Sequence, residues 1–354
     1  MNRWTTALRL AVFAALGAAV LGFIGDAHSG EQPSINGASD LLPELASYRH
    51  KIVYETNRDG NWELYLCNAD GSEPVNLTHT PDVAELYPKP SPDGTKICFV
   101  ADEGQGDAKV RSVYYMNTDG TGRTKVAQNG REPCWSPDET RIAYMKDEFK
   151  KFTYADAATK GLFFYDLKTG ETREHVNRKL HHLYTLNCTP DGNWLVATVH
   201  GGMGFSHTIL AIEANGDRVV DLKLEGCRPN ISPDGTKVCW GHGDFCAGVA
   251  DLDFSGSVPK ATSLHDVVES KDPIETYHIT WSPDMKYLTF TRGHKFKGPV
   301  NLKGLLPEFP GVEAPGWNVF VADASATNRW VAITHDGKSC KQPSWVRVRE
   351  AAAK

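Results

Sequence analysis

Pro90-Ser-Pro-Asp-Gly94, Trp135-Ser-Pro-Asp-Glu139, Cys188-Thr-Pro-Asp-Gly192, Ile231-Ser-Pro-Asp-Gly235 and Trp281-Ser-Pro-Asp-Met285 are one phrase written five times. Its aspartates, Asp93, Asp138, Asp191, Asp234 and Asp284, are 45, 53, 43 and 50 residues apart. A fixed phrase at a period in the forties, set among short apolar runs, marks a repeat architecture of propeller blades. Proline presets φ, aspartate bonds the backbone two residues on, and glycine accepts φ > 0, so the phrase reads as a turn.

Each phrase is preceded by a short strand-like run such as Arg131-Glu-Pro-Cys-Trp135 and followed by an apolar one such as Ile142-Ala-Tyr-Met145. A third and a fourth run follow, several joined by Asp-Gly or Asn-Gly turns such as Asp119-Gly120. Four short strands joined this way make one antiparallel blade. Residues 51–78 hold only three runs, and the C-terminal Gln342-Pro-Ser-Trp345 has the pattern of a first strand with nothing after it. The reading is therefore an all-β, six-bladed β-propeller, closed by the C-terminal strand pairing into the first blade. Closure removes two exposed strand edges that an open array would leave.

These repeats resemble those of the TolB-type β-propellers over roughly residues 50–348. The resemblance implies the fold strongly and the activity weakly, because the family hosts a periplasmic scaffold, peptidase accessory domains and polysaccharide lyases. Full-length TolB carries an α/β domain before its propeller, for which residues 30–50 are far too few.

Residues 1–29 read as an export leader: Arg3 and Arg9, an apolar Leu10–Ile24 run, and Ala27-His-Ser29 as a small-x-small cleavage site. Residues 30–49 are a flexible lead-in in which Asp40–Ala46 forms one helical turn covering the ring, and 349–354 are a tail. A periplasmic or secreted monomer with no membrane span after cleavage is expected. The net charge of −6 and the absence of a basic block exclude a nucleic-acid surface. None of the eight cysteines lies in a Cys-x-x-Cys pair. Cys98 and Cys239 read as buried thiols, and Cys239 and Cys246 flank a hairpin across which they could pair.

Propeller topology turns the repeat into a surface map. The first strand of each blade lines the channel, and the residue three before the Trp position is Tyr87, Glu132, Thr185, Arg228, His278 and Gln342. These six are expected to ring the channel mouth opposite the Ser-Pro-Asp-Gly turns and to form the ligand-binding site. His181, His182, His200, His207, His242 and His294 map to the same face. Histidine is the commonest ligand for late transition metals, so His182, His242 and His278 are candidate ligands of a divalent metal, the cofactor these residues would hold. The resemblance adds that TolB-like lyases hold a divalent metal with His and Gln from several blades, which draws attention to His278 and Gln342. No lyase motif matches residue by residue, so the catalytic residues stay unknown. An insertion at 295–316 emerges on this face as a lid or a blade cover. The leading expectation is a binding or scaffold protein for an envelope protein or polysaccharide. The alternative is a metal-dependent uronate lyase or related carbohydrate-active enzyme.

Overall fold

The computed structural model describes residues 40–295 and 305–349. The leader, most of the tail and part of the 295–316 insertion lie outside the described residues. The described chain forms six four-stranded antiparallel sheets, each a blade. Blade one takes its inner strand, Cys340–Val346, from the C-terminus and continues with Lys51–Thr56, Glu63–Asn68 and Val75–Asn76. The other inner strands are Ala84–Pro90, Gly130–Trp135, Leu183–Cys188, Cys227–Ile231 and Ile274–Trp281, each followed outward by the next three strands of the chain.

The closure is a full ladder. Ile52 faces Trp345 and Val53 faces Ser344 across it. A short helix, Leu41–Ala46, buries Leu41 and Leu45 in the apolar cluster that joins blade six to blade one, with Tyr287, Val319 and Trp345. Tyr48, just after it, sets its ring edge-on to Tyr287 and Trp345. Beyond the closing strand, the backbone of Arg347 crosses the first turn so closely that a Cβ on Gly94 would meet its carbonyl oxygen at 1.9 Å. Only glycine admits that approach.

Every recurring phrase is a turn of the same build. Ser91 Oγ donates to Asp93 Oδ1 (2.6 Å), Thr95 N–H donates to the same oxygen (2.9 Å), and Lys96 N–H returns to Ser91 Oγ (3.0 Å). The scheme repeats at Ser136/Asp138, Thr189/Asp191, Ser232/Asp234 and Ser282/Asp284. Hydrogen bonds to an ionised carboxylate favour the charged form. Burial works against the charge on Asp93, yet the bonds from Ser91 and Thr95 outweigh it and bring its pKa down to about 2. The other four are also lowered.

All eight cysteines are free thiols. Cys239 and Cys246, which flank the hairpin, do not pair, because the register sets Cys239 opposite Val249 and Cys246 opposite His242.

Candidate functional site

The six inner strands share one irregularity. In each, the inner strand advances three residues while its neighbour advances two, as from Leu86↔Val100 to Lys89↔Cys98 and from Tyr277↔Thr291 to Thr280↔Thr289. This is a β-bulge, and the same slip occurs in the other four blades. At its first position stand the six residues expected at the channel mouth: Tyr87, Glu132, Thr185, Arg228, His278 and Gln342, all with φ between 52° and 59°. None is glycine, so each holds strain of about 1 kcal/mol or more. Proline follows four of them, at Pro88, Pro133, Pro229 and Pro343. A bulge leaves a residue outside the ladder, and there a missing N–H costs nothing.

Neighbouring side chains capture several of the displaced backbone N–H groups. Tyr87 N–H donates to Glu55 Oε2 (2.9 Å), Thr185 N–H to Glu132 Oε2 (2.5 Å) and Arg228 N–H to Thr198 Oγ1 (2.8 Å). The ring is thus a belt of buried polar groups, each of its six members at most 5 % exposed.

Two loop segments seal this end. Asp156, from the loop after the second strand of blade three, pairs with Arg228 at 2.5 Å, both buried. The described part of the insertion lies over the ring: Lys341 Nζ donates to the carbonyls of Pro307 (2.8 Å), Phe309 (2.6 Å) and Val312 (2.8 Å). His278 Nε2 lies 2.9 Å from Glu308 O and 2.9 Å from Gln342 Nε2, while its Nδ1 is 3.2 Å from Thr291 Oγ1. Burial, then Arg228 and Lys341, hold the His278 pKa well below the usual value, so the ring is neutral. Burial raises Glu55 and Glu308, and burial with the Asp156 charge brings Glu132 up to about 7. Lys341, fully buried 3.7 Å from Glu55, is lowered to about 8 by desolvation.

The histidines outside the ring form pairs and ion contacts. His181 and His182 touch edge-on (4.7 Å between centroids), as do His200 and His207 (5.4 Å). His182 also reaches Glu148 (3.0 Å), and His242 reaches Asp266 (2.8 Å). His182, His242 and His278 thus each have partners of their own. Among the described residues, no group of three or more His, Cys, Asp or Glu side chains is placed to share an ion.

The opposite end of the channel is open. A funnel of about 380 Å³ opens among the turns, walled by Trp135, Trp281, Trp345 and the turn prolines. Its lower wall is a second ring, two residues past the bulge position: Lys89, Cys134, Asn187, Asn230, Thr280 and Ser344. Asn230 Nδ2 donates to Asn187 Oδ1 (2.9 Å), and Asn187 Nδ2 to Pro229 O (2.7 Å). Lys89, Asn230 and Thr280 also line a cavity of about 10 Å³ just beneath, shared with Arg228, His278 and Gln342. That space holds about one water, so the first ring is the floor of the funnel.

Lys89 is the charged group of the second ring. Its ammonium lies 4.6 Å from the centre of the Tyr87 ring, and no carboxylate stands within ion-pair distance among the described residues. Desolvation lowers its pKa, against the pull of Glu132. The indole N–H groups of Trp281 and Trp345 are buried without a partner. Sequence reasoning missed this ring, although the proline inside four inner strands was a legible sign of a bulge, which re-aims the residues after it. Asp156 and Glu308, on long loops, left no such sign.

No family model matches the chain. It is similar to the Protein TolB homolog of Chlorobaculum tepidum, 30% identical over 132 residues, which is 34% of this chain and 29% of that relative. It is also similar to the Protein TolB homolog of Chlorobium luteolum, 26% identical over 180 residues, 38% of this chain and 39% of the relative. The chain therefore matches well under half the length of these relatives. Among solved structures, the "Nidogen/Laminin Complex" contains a chain similar at a TM-score of 0.55 and 10% identity, covering 84% of this chain and 98% of that one. At that identity the likeness shows the fold alone.

Proposed function

The repeats of this chain are of the TolB-type propeller family, and from that premise we propose that it is an exported, non-enzymatic binding protein. Its funnel takes an acidic or carbonyl-rich segment of an envelope protein or polysaccharide. The observation that carries this reading is Lys89, a desolvated cation with no carboxylate partner, at the base of an open funnel. A carboxylate delivered there replaces lost hydration with a charge-assisted hydrogen bond. The bulge residues Tyr87, Glu132, Thr185, Arg228, His278 and Gln342 act from below, as a rigid floor that keeps Lys89 aimed upward.

The leader-like residues 1–29 support export. Among the described residues no helix is long and apolar enough to cross a membrane. Fractionation of the native organism tests the location: recovery with the cytoplasm would overturn export.

The binding test is capture of one envelope partner on wild-type protein, Lys89→Met, and a His182→Ala/His242→Ala variant. Loss on Lys89→Met alone supports the funnel. Loss on the histidine variant alone would move the site to the other face and overturn the funnel. Release of unsaturated uronides from polysaccharide by the wild type would replace the binding reading with the lyase one.

A further inference from the structure

Neighbouring inner strands crowd together near the channel axis, and each gap between them must be filled. The residue three past the bulge position does this. Trp135 reaches blade two, where its Nε1 donates to Lys89 O (2.8 Å). Trp281 meets blade five, where its backbone N–H donates to Asn230 Oδ1 (3.0 Å). Trp345 stacks on Tyr287 of blade six, and Ile231 packs with Trp194 of blade four. Blade four has only Cys188 at this position. Facing it from blade three is Cys134, and the two Sγ atoms are 3.9 Å apart.

We infer that Cys134 and Cys188 are a redox pair that closes into a disulfide under oxidising conditions and staples blade three to blade four inside the funnel wall. The bridge takes the place of the large side chain that stands at this position in blades one, three, five and six, blade two having Pro90. Three observations support it. The sulfurs are already in contact across two strands whose backbones are fixed by their own ladders, Cys134 opposite Ala143 and Cys188 opposite Leu195. Both residues line the funnel, so a small oxidant reaches them, with Cys188 the more exposed. Of the other six cysteines, Cys67, Cys98, Cys227, Cys239 and Cys340 are buried and Cys246 sits at the hairpin between the second and third strands of blade five, and none of these lines the funnel.

The chemistry balances with a low-molecular-weight disulfide such as oxidised glutathione. Cys188 thiolate attacks one sulfur and expels a glutathione thiolate. Cys134 then loses its proton and attacks Cys188 Sγ in the mixed disulfide, expelling the second glutathione. Two electrons pass to glutathione, and the two protons from the protein thiols end on the two released thiols. In the free dithiol the Cys188 contact and burial raise the Cys134 pKa well above the usual value; burial persists in the mixed disulfide and slows the second step.

The test is incubation of reduced full-length protein with oxidised glutathione, followed by thiol counting after denaturation, peptide mapping and thermal unfolding. The expected result is loss of two of the eight thiols, one linked peptide pair carrying Cys134 and Cys188, and a Tm that rises and returns with dithiothreitol. Cys134→Ser should stop at the mixed disulfide of Cys188 with glutathione, Cys188→Ser should keep its remaining thiols, and neither should form the linked pair or show an oxidation-linked rise. In the wild type, retention of all eight thiols, a different linked pair, a product that stops at glutathionylated Cys188, or an unchanged Tm would each overturn the staple. The wild-type peptide map decides the matter even if a serine variant fails to fold.

Discussion

The two ends of the channel are built from the same repeat and have opposite chemistry. At the turn end, carboxylates are held charged by short loops of hydrogen bonds at the surface, and Asp93 is brought down to about 2. At the bulge end, carboxylates are buried, and Glu132 is brought up to about 7. The turn end leaves Lys89 without a counter-charge and open to a funnel. The bulge end gives Arg228 and Lys341 acidic or carbonyl partners and covers them with loops. Strain, burial and paired charge have gone into a sealed floor, and a cation without an ion-pair partner has been left at the other end. A repeat fixes where side chains emerge, and the loops between repeats decide which end stays available.

The largest test removes both ends together. The closing strand supplies Lys341 and Gln342 to the floor and Ser344 and Trp345 to the funnel. Deleting residues 340–354 should abolish cooperative unfolding, monitored by tryptophan fluorescence in urea. A truncated protein with the wild-type midpoint would disprove closure by this strand.

The next sets one end against the other. Asp156→Ala strands the Arg228 charge in the interior and should cost about 3–5 kcal/mol, as breaking a buried pair by removing one partner does. Lys89→Met removes a desolvated cation that has no ion-pair partner, and it should leave stability unchanged or slightly raised while abolishing partner capture. Equal destabilisation by the two variants would erase the distinction between floor and funnel.

pH also separates the ends. Glu132 has a folded pKa near 7, above its unfolded value of about 4.3. Its contribution is full below about pH 4.3 and is lost as pH rises through about 7. The turn aspartates have depressed folded values, so their contribution is present above about pH 3.9 and is lost as pH falls toward about 2. His278, held well below its ordinary value, works the other way and gains stability as pH rises through about 6.5, so the Glu132 share is read as a difference between two proteins. The Glu132→Gln urea midpoint should rise relative to wild type between about pH 4.3 and 7 and run parallel to it on the acid limb. A difference that stays constant from about pH 4 to 8 would contradict the raised carboxylate.

The smallest effect belongs to a single turn. Asp234 accepts from Ser232 Oγ (2.7 Å) and Thr236 N–H (3.0 Å). Asp234→Ala should lower stability by about 1 kcal/mol and leave partner capture intact. Capture lost in a fully folded Asp234→Ala protein would make the turn aspartates part of the site.

Much of this molecule can be read along the chain. Five copies of Ser/Thr-Pro-Asp gave the blades and their turns, because turn chemistry is local and acts over a few residues. The missing strand of blade one and the spare one at Gln342–Trp345 gave the closure, since unpaired edges must be satisfied somewhere. Counting back from Trp placed Tyr87, Glu132, Thr185, Arg228, His278 and Gln342 in one ring, because the repeat preserves phase.

Which end of that ring is open was decided in three dimensions. Asp156 is 72 residues from Arg228, and Glu308 is 30 from His278. Such contacts depend on where long loops fold back, and no period carries that information. The bulge also rotates the strand, so the polar set two residues on, from Lys89 to Ser344, turns to the funnel. The histidines show the same limit: sequence position assigned them a face, and the pairing of His182 with Glu148 and of His242 with Asp266 was decided in the folded chain. Phase along a strand is set by local geometry and is written in the repeat. Distance across the ring is set by the packing of all six blades at once, and it exists only in the folded chain.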